Sequence, residues 1–330
     1  MLKFAIAGAG YIANIHAQAI KTLPETKLVA VVDRFPKTAT KFQEKFQVKH
    51  SYSTVDDLLH NTSIDALIIS TPNYLHFPQT ISALKAGVHV MVEKPMAMNA
   101  TEAYQMMETS QKSDALLMVA HCWRFDPEVL WLCQQAESGC LGKIIRTKGI
   151  GVHQLWGPSG WFTEARFAGG GAMADMGIHA LDTARFLLGD PQPDSVYARI
   201  GTYYKDFAVD DTGIIIVNWK SGVSSYIESG WWQPHADGPE AATQLYGTHG
   251  FGQLFPTYIK DQNQVHDPGF THPRKEHCPQ SLYNDQMAYF VQCIQANRVP
   301  CPGAVEGWTN MKVVDAAYES ARTGKVVSVD

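Results

Sequence analysis

A carboxylate and an imidazole stand four residues apart in an apolar segment that three glycines precede. Asp175 and His179 follow Gly169–Gly171, and apolar residues recur around them at helical spacing. Side chains at positions i and i+4 of a helix project from one face. Such a pair suits general acid–base chemistry, because the carboxylate fixes the tautomer of a group that titrates near neutrality. Taken alone, the spacing favours an ion pair that only stabilises the helix, and the other motifs of the chain shift the interpretation toward chemistry.

A lysine is the second candidate for chemistry. Lys94 lies between Glu93 and Pro95, directly after the apolar run 88–92, which predicts a buried strand. Ligands of open α/β sheets bind beyond the carboxyl ends of the strands. An ammonium held there beside a proline is suited to polarise a substrate hydroxyl. A surface charge in a tight turn explains the same residue, and position alone does not decide between the two.

The first element that must position these groups is a nucleotide-binding turn. Residues 8–13 read GAGYIA between a predicted strand and a predicted helix, which is the dinucleotide-binding pattern with alanine at its third small position. Asp33 follows the next strand, 20 residues after Ala13, where an acid binds ribose hydroxyls. This acid favours NAD over NADP. Arg34 leaves NADP open, because a guanidinium tolerates a 2′-phosphate.

The remaining elements predict an α/β protein of two domains. Alternating strands and helices over 1–121 predict a doubly wound parallel sheet, the Rossmann dinucleotide-binding domain. Residues 122–330 predict a second α/β domain with a mostly antiparallel sheet. Its predicted elements are strands at 195–201, 211–219, 222–229 and 241–247, and helices at 282–296 and 305–321.

Composition and charge exclude several classes of partner. The net charge is −5, and no basic run appears, which argues against nucleic acid and anionic membranes. No apolar run approaches the roughly 20 residues of a membrane span. Six cysteines without a Cys-x-x-Cys pair indicate a reducing compartment, and we expect a cytoplasmic protein. His266, His272, His277 and Cys278 have no metal-ligand spacing, so no metal is expected.

Aromatic and polar residues cluster in loops of the second half. Flat rings that cover C–H surfaces, beside hydrogen-bonding groups, are what a sugar or cyclitol site needs, although a core or a subunit interface explains any single ring equally well. The candidate substrate residues are His153, Trp156, Trp161, Arg166, Asp175, His179, Trp232 and His235.

Five motifs occur in the order that is typical of one enzyme family. They are GAGYIA at 8–13, STPNYLH at 70–76, EKP at 93–95, WRFDP at 123–127 and AGGGAMADMGIHALD at 168–182. With these motifs the chain resembles the Gfo/Idh/MocA family of NAD(P)-dependent oxidoreductases over essentially its whole length. The resemblance implies that Lys94, Asp175 and His179 are catalytic and that the helix at about 305–321 packs on the Rossmann domain. It also ranks Asp175 above Asp182 as the functional carboxylate.

The resemblance implies a dehydrogenase that acts on a sugar, inositol or related polyol. It also implies that the α/β domain at 122–330 serves substrate binding and oligomerisation, with a large open, mostly antiparallel sheet. Two alternatives stay open, an NAD-dependent glycosidase of the same family and an NAD-binding regulatory protein without turnover. An exposed sheet in the second domain leads us to expect a homodimer or homotetramer. The candidate cofactor-binding residues are Gly8, Gly10, Tyr11, Ile12, Asp33, Arg34, Thr71, Pro72, Asn73, His76, Glu93, Lys94 and Arg124.

Overall fold

A computed structural model describes residues 1–235, 238–262, 264–271 and 278–329. His272 and His277, from the histidine-rich segment considered above, lie outside the described residues. The chain forms two compact units: Met1–Cys122 with Cys278–Trp308, and Trp123–His277 with Thr309–Asp330. The sequence prediction assigned 278–308 to the second domain, whereas in the structure the chain returns to the first unit there.

The first unit begins with alternating strands and helices. Strands β1–β6 are Leu2–Ala7, Thr26–Val32, His50–Tyr52, Ala66–Ile69, His89–Val92 and Leu117–Val119. Helices α1–α5 are Tyr11–Thr22, Pro36–Phe46, Val55–Asn61, His76–Lys85 and Ala100–Gln111. Side chains define two helix starts, since Thr54 caps α3 and Asn99 caps α5 by accepting main-chain N–H groups.

The rest of the chain is richer in strands. Helices α6–α8 are Pro127–Glu137, Ala165–Ala168 and Ile178–Leu187; α9 and α10 are Gln280–Gln295 and Ala304–Thr323. Strands β7–β15 are Ile144–Val152, Pro193–Gly201, Thr212–Trp219, Ser224–Gly230, Ala241–Gly247, Gly250–Leu254, Tyr258–Asp261, Val265–His266 and Val327–Ser328.

The sheet of the first unit is parallel, with strand order β3-β2-β1-β4-β5-β6. The order reverses between β1 and β4, whose following turns carry Gly8–Gly10 and Thr71. A reversal of this kind opens a crevice at the carboxyl ends of the strands, where doubly wound proteins bind ligands. The predicted Rossmann sheet is therefore confirmed.

The sheet of the second unit has nine strands in the order β14-β13-β12-β11-β7-β10-β9-β8-β15. Its pairs are antiparallel except β7 with β10, so the predicted mostly antiparallel sheet is confirmed. Helix α8 packs against β7 and β10 on one face. On β9 the side chains alternate, with Ile215 and Val217 buried and Ile214 and Ile216 exposed by 40% and 42%.

Helix α10 begins in the first unit and continues from Thr309 in the second. In the second unit, Ser320 accepts the N–H of Ala198, and Tyr318 contacts the segment before β9. Within the described ranges, no helix is long and apolar enough to cross a membrane.

Candidate active site

The turn after β1 has the geometry of a dinucleotide-binding turn. Gly8 has a positive φ of 88°, and a Cβ there would lie 2.6 Å from the carbonyl oxygen of Ser70. Glycine is therefore required for the close passage of the two strand ends. Apart from Gly10 itself and the chain next to it, no atom of the described residues lies within 4 Å of a Cβ built on Gly10. Gly10 precedes α1, so this open space adjoins the free N–H groups of a helix start, which suit a pyrophosphate.

Asp33 stands beside this turn. Its Oδ2 accepts the N–H of Ala9 at 3.0 Å, and its Oδ1 accepts the N–H of Phe35 at 2.8 Å. These bonds fix the carboxylate, and each oxygen has a further lone pair that suits a ribose hydroxyl. The guanidinium of Arg34 lies 4.6 Å from the ring of Phe35, while Tyr11 is 84% exposed and Ile12 half-buried at the start of α1. The residues present therefore fit a dinucleotide.

His76 joins the two loops that follow β4 and β5. Its Nδ1 lies 2.8 Å from the carbonyl oxygen of Pro95, and its Nε2 lies 2.8 Å from that of Thr71. Burial lowers the pKa of His76, against the opposing effect of these two carbonyls. The loop after β4, between Thr71 and His76, contains Pro72 and the buried Asn73. His76 thus links the loops that follow β4 and β5, and its own contact with a cofactor stays a prediction.

Glu93 and Lys94 follow β5. Glu93 Oε1 lies 2.7 Å from Nε2 of the buried His16, and Oε2 accepts the N–H of Lys94 at 3.2 Å. Burial acts to raise the pKa of Glu93, but the hydrogen bond and charge of His16, with the charges of Lys94 and His76, lower it overall. An ionised Glu93 therefore fixes the turn that carries Lys94, whose side chain is half-buried.

Asp175 and His179 lie at the beginning of one helical segment in the second unit. The structure differs from the predicted regular helix, because Met173–Gly177 is π-helical and α8 begins only at Ile178. Short π-helical turns are rare in proteins, and those that occur are often found at functional sites. Asp175 Oδ2 accepts the indole N–H of Trp231 at 3.0 Å. The ring of His179 stacks on Trp123, with 4.9 Å between centroids and 21° between planes.

The start of this helical segment is held by Asp210. Its carboxylate accepts the N–H groups of Gly171 and Met173, each at 2.8 Å, and the hydroxyl of Tyr318 at 2.7 Å. Burial raises the pKa of Asp210 against these donors, and burial together with Asp210 raises that of Tyr318. A Cβ on Gly171 would collide with the backbone of Asp210, so glycine is required for this approach.

The next residue, Asp211, holds a different segment. Its carboxylate accepts the N–H groups of Tyr203, Tyr204 and Lys205 at 2.8, 2.7 and 3.0 Å. The sequence analysis missed Asp210, Asp211 and Tyr318. Two adjacent acids before a strand look like an exposed charged turn, and only their burial reveals their role.

Arg124 lies within a buried ionic network. Its guanidinium donates to both carboxylate oxygens of Asp182, each at 2.8 Å, and to those of Asp190 at 2.7 and 2.8 Å. The amide of Asn310 donates to Asp182 at 2.7 Å. Burial opposes the charged form, but the two carboxylates outweigh it and raise the pKa of Arg124. Asp182 thus anchors α8 through Arg124, and a role for Arg124 in cofactor binding stays a prediction.

Several predicted substrate residues lie together in the second unit. His153 stacks on Trp156 at 3.5 Å between centroids, and the N–H of Trp232 donates to the carbonyl of Trp156 at 2.9 Å. Lys205 Nζ lies 4.6 Å from the centroid of the Trp232 ring. The loop with His153 and Trp156 is thereby joined to the loop with Trp232. The preceding residue, Trp231, contacts Asp175.

The other predicted substrate residues have different surroundings. Trp161 stacks on Phe162 at 3.8 Å, and the exposed Arg166 pairs with Glu164 at 2.8 Å. His235 is exposed. In the part of the chain that the structure describes, no three His, Cys, Asp or Glu side chains are arranged to hold a metal ion.

Comparison with known protein families agrees with this geometry. Residues 2–121 match the oxidoreductase family model with an NAD-binding Rossmann fold, and residues 129–251 match the Gfo/Idh/MocA C-terminal domain. The fold and the turn after β1 therefore define an NAD-binding oxidoreductase. The chain belongs to the Gfo/Idh/MocA family, as its motifs predict.

Individual relatives cover the whole chain. D-glucoside 3-dehydrogenase of Escherichia coli K12 is 29% identical over 99% of this chain and 97% of its own length. The scyllo-inositol 2-dehydrogenase (NAD(+)) of Bacillus subtilis 168 is 25% identical over 100% and 96%. The solved structure of levoglucosan dehydrogenase in complex with NADH is 22% identical over 100% and 99%, with a TM-score of 0.90, and shows the same fold.

Proposed function

We propose that the protein is an NAD-dependent dehydrogenase that moves hydride between a secondary alcohol of a sugar, inositol or related polyol and nicotinamide. The observation that carries this proposal is the start of the helical segment, where an anchored carboxylate, Asp175, precedes a stacked imidazole, His179, by four residues. Membership of the family supplies the reaction class, and relatives named as glucoside and inositol dehydrogenases support the substrate class.

The cofactor proposal rests on Asp33. When bound, nicotinamide supplies a carbon that accepts or returns the hydride. A fixed carboxylate beside the turn after β1 would accept hydrogen bonds from both ribose hydroxyls, and it would repel a 2′-phosphate. NAD is therefore the proposed cofactor. The exposed Arg34 is the residue through which NADP would be accepted.

His179 is proposed as the general base of alcohol oxidation and as the acid of the reverse reaction. Removal of the hydroxyl proton leaves a cationic imidazolium, which the face of the stacked Trp123 stabilises. Asp175 would bind a substrate hydroxyl or orient His179. Lys94, which Glu93 holds at its main chain, is proposed to stabilise negative charge on the substrate oxygen.

The joined aromatic loops are proposed to bind the sugar or cyclitol ring. Trp156 is 51% exposed, so its ring offers a face to C–H surfaces. Trp232 and His153 lie beside it, and Lys205 adds a hydrogen-bond donor near the ring of Trp232. His235, Trp161 and Arg166 remain proposed contacts of the substrate.

The assembly and location are also proposals. The face of β9 that carries Ile214 and Ile216 exposes apolar side chains on an extended sheet, which supports a homodimer or homotetramer. None of the six cysteines forms a disulfide, which supports a cytoplasmic location.

The test measures the formation of NADH and NADPH against a panel of free sugars, glycosides, inositols and sugar acids. We expect reduction of NAD⁺ with at least one cyclic polyol. His179→Ala and Lys94→Ala should each lower kcat by about 10²–10⁴-fold and leave NAD⁺ affinity nearly unchanged. The exposed residues His60 and Lys85 provide matched alanine controls that should retain full activity.

A silent panel would contradict the dehydrogenase proposal. If cofactor were then found in the purified protein and chromogenic glycosides were cleaved, the glycosidase alternative would replace it. Tight NADH binding without any turnover would instead indicate a regulatory protein. Unchanged turnover in either alanine variant would remove that residue from the mechanism.

A further inference from the structure

We propose that Trp231 is a positioning residue whose buried indole N–H fixes the carboxylate of Asp175 and keeps it ionised. The inference deepens the proposed function, because it explains how one member of the proposed catalytic group is held. Trp231 and Trp232 are adjacent in an aromatic segment, and the sequence predicts only Trp232 as a substrate contact. The structure gives the two tryptophans different surroundings.

Trp231 itself is immobilised by packing. Its side chain is 0% exposed and lies in a cluster with Ala172, Met176 and Val209. Its main-chain N–H donates to the carbonyl of Asp211 at 2.8 Å. A large side chain held on all sides cannot rotate away, so the direction of its indole N–H is set by the fold.

The indole makes a single type of polar contact. Indole nitrogen is a donor only, and it lies 3.0 Å from Asp175 Oδ2. A hydrogen bond to the charged form of a carboxyl group favours ionisation. A contact with a charged acceptor is stronger than one between neutral groups, and the burial of the donor shields it from water.

The main chain of Asp175 is held separately. Its N–H donates to the carbonyl of Gly171 at 3.0 Å, and Gly171 is in turn bound through its own N–H to Asp210. The backbone is thus fixed through Asp210 and the tip of the side chain through Trp231. Both are needed for a carboxylate that must meet a substrate hydroxyl or His179 within a fraction of an ångström.

Other titratable and charged groups surround the segment with Asp175, and they are the same in the variants compared below. The titratable and charged groups on the surrounding elements include His179, Asp182 and Arg185 on α8, Asp210 before β9, Tyr318 on α10, His153 after β7 and Lys205 beside Trp232. A change confined to residue 231 therefore reports on the indole contact.

The experiment compares Trp231→Phe with Trp219→Phe. Trp219 is an equally buried tryptophan whose indole donates to Ser225 Oγ at 2.7 Å, so it controls for lost volume and for a lost indole hydrogen bond. In both variants, carbon-13 NMR follows the carboxyl group of Asp175 through a pH titration, assigned with Asp175→Asn. The pH profile of kcat/KM and the affinity for NAD⁺ are measured beside it.

We expect Trp231→Phe to raise the titration midpoint of Asp175 by about one to two pH units and to lower kcat/KM by about 10- to 100-fold. Affinity for NAD⁺ should stay within about twofold, because the cofactor residues are untouched. Trp219→Phe should leave the Asp175 midpoint and the shape of the pH profile as in the wild type.

An unchanged Asp175 midpoint in folded Trp231→Phe would overturn the inference. If that variant does not fold, β-(3-benzothienyl)alanine at position 231 replaces the N–H by sulfur at nearly constant shape, and it must give the same shift. A wild type that turns over no panel substrate would refute the proposed function, while the carboxyl titration would still decide whether Trp231 holds Asp175.

Discussion

Alanine at Gly10 and alanine at Gly8 should separate cofactor binding from folding. Both glycines belong to the turn after β1, but their surroundings differ. Gly10 has φ −78° and ψ −163°, which alanine adopts freely, and a Cβ there would meet no described atom within 4 Å beyond the adjacent chain. Gly8 combines a φ of 88° with a Cβ position 2.6 Å from the oxygen of Ser70.

The magnitudes follow from these surroundings. Gly10→Ala loses some unfolded-chain entropy and offers a slightly poorer helix cap, so the free energy of unfolding should change by less than about 1 kcal/mol. The new methyl group occupies the space proposed for the pyrophosphate. Losing one charge-assisted hydrogen bond there, worth about 1.5–3 kcal/mol, raises the Kd for NAD⁺ by about 10- to 100-fold. Gly8→Ala should lose about 2–4 kcal/mol of stability through backbone strain and overpacking.

The assay pairs chemical denaturation of each variant with calorimetric titration of NAD⁺. Gly87→Ala serves as a control, because Gly87 also has a positive φ, of 75°, but no atom of the described chain near its Cβ position. Gly87→Ala should lower the free energy of unfolding through backbone strain and leave the affinity for NAD⁺ unchanged. Wild-type affinity in Gly10→Ala would refute the placement of the pyrophosphate, and wild-type stability in Gly8→Ala would refute the strain argument.

Two further predictions concern single carboxylates. Asp33→Asn should weaken NAD⁺ binding about tenfold and reduce the preference over NADP⁺, which titration with both cofactors measures; equal affinities before and after would exclude Asp33 as the ribose ligand. Glu93→Gln should destabilise the protein at pH 7. Because the folded pKa of Glu93 is lowered, its contribution is present above the unfolded value of about 4.3 and is lost as pH falls through the folded value. The difference in the free energy of unfolding between wild type and Glu93→Gln should therefore shrink as pH falls below about 4.3; a constant difference would contradict this assignment.

The parts of the fold that the sequence predicts correctly rest on local patterns. The turn at Gly8–Gly10, the acid at Asp33 and the buried strands around them follow one another within a short stretch, and each has its own signature. The parallel order of β1–β6 then follows from the handedness of the connections. Membership of the family is visible for the same reason, since its motifs are local.

Local sequence patterns could not predict the long-range contacts that hold the helical segment with Asp175. Asp210 meets Gly171 across 39 residues and Tyr318 across 108, and nothing in the neighbouring sequence of either indicates the pairing. The π-helical turn at Met173–Gly177 was equally hidden, because one turn of different pitch leaves the apolar periodicity almost unchanged. The division between the buried Trp231 and the half-buried Trp232 depends on tertiary packing in the same way.

The adjacency of Asp210 and Asp211 has a consequence for how substrate preference can change. One carboxylate holds the helical segment with Asp175, and the other holds the loop at 203–205, which the contact between Thr202 Oγ1 and the carbonyl of Val209 closes at its base. The loop can therefore change while Asp210 continues to hold the helical segment in place. Loops of other lengths and side chains, grafted between Thr202 and Val209, should alter the rings and charges presented beside Trp232, while Asp175 and His179 keep their places. Under the proposed function, libraries confined to this loop should yield variants with changed substrate preference.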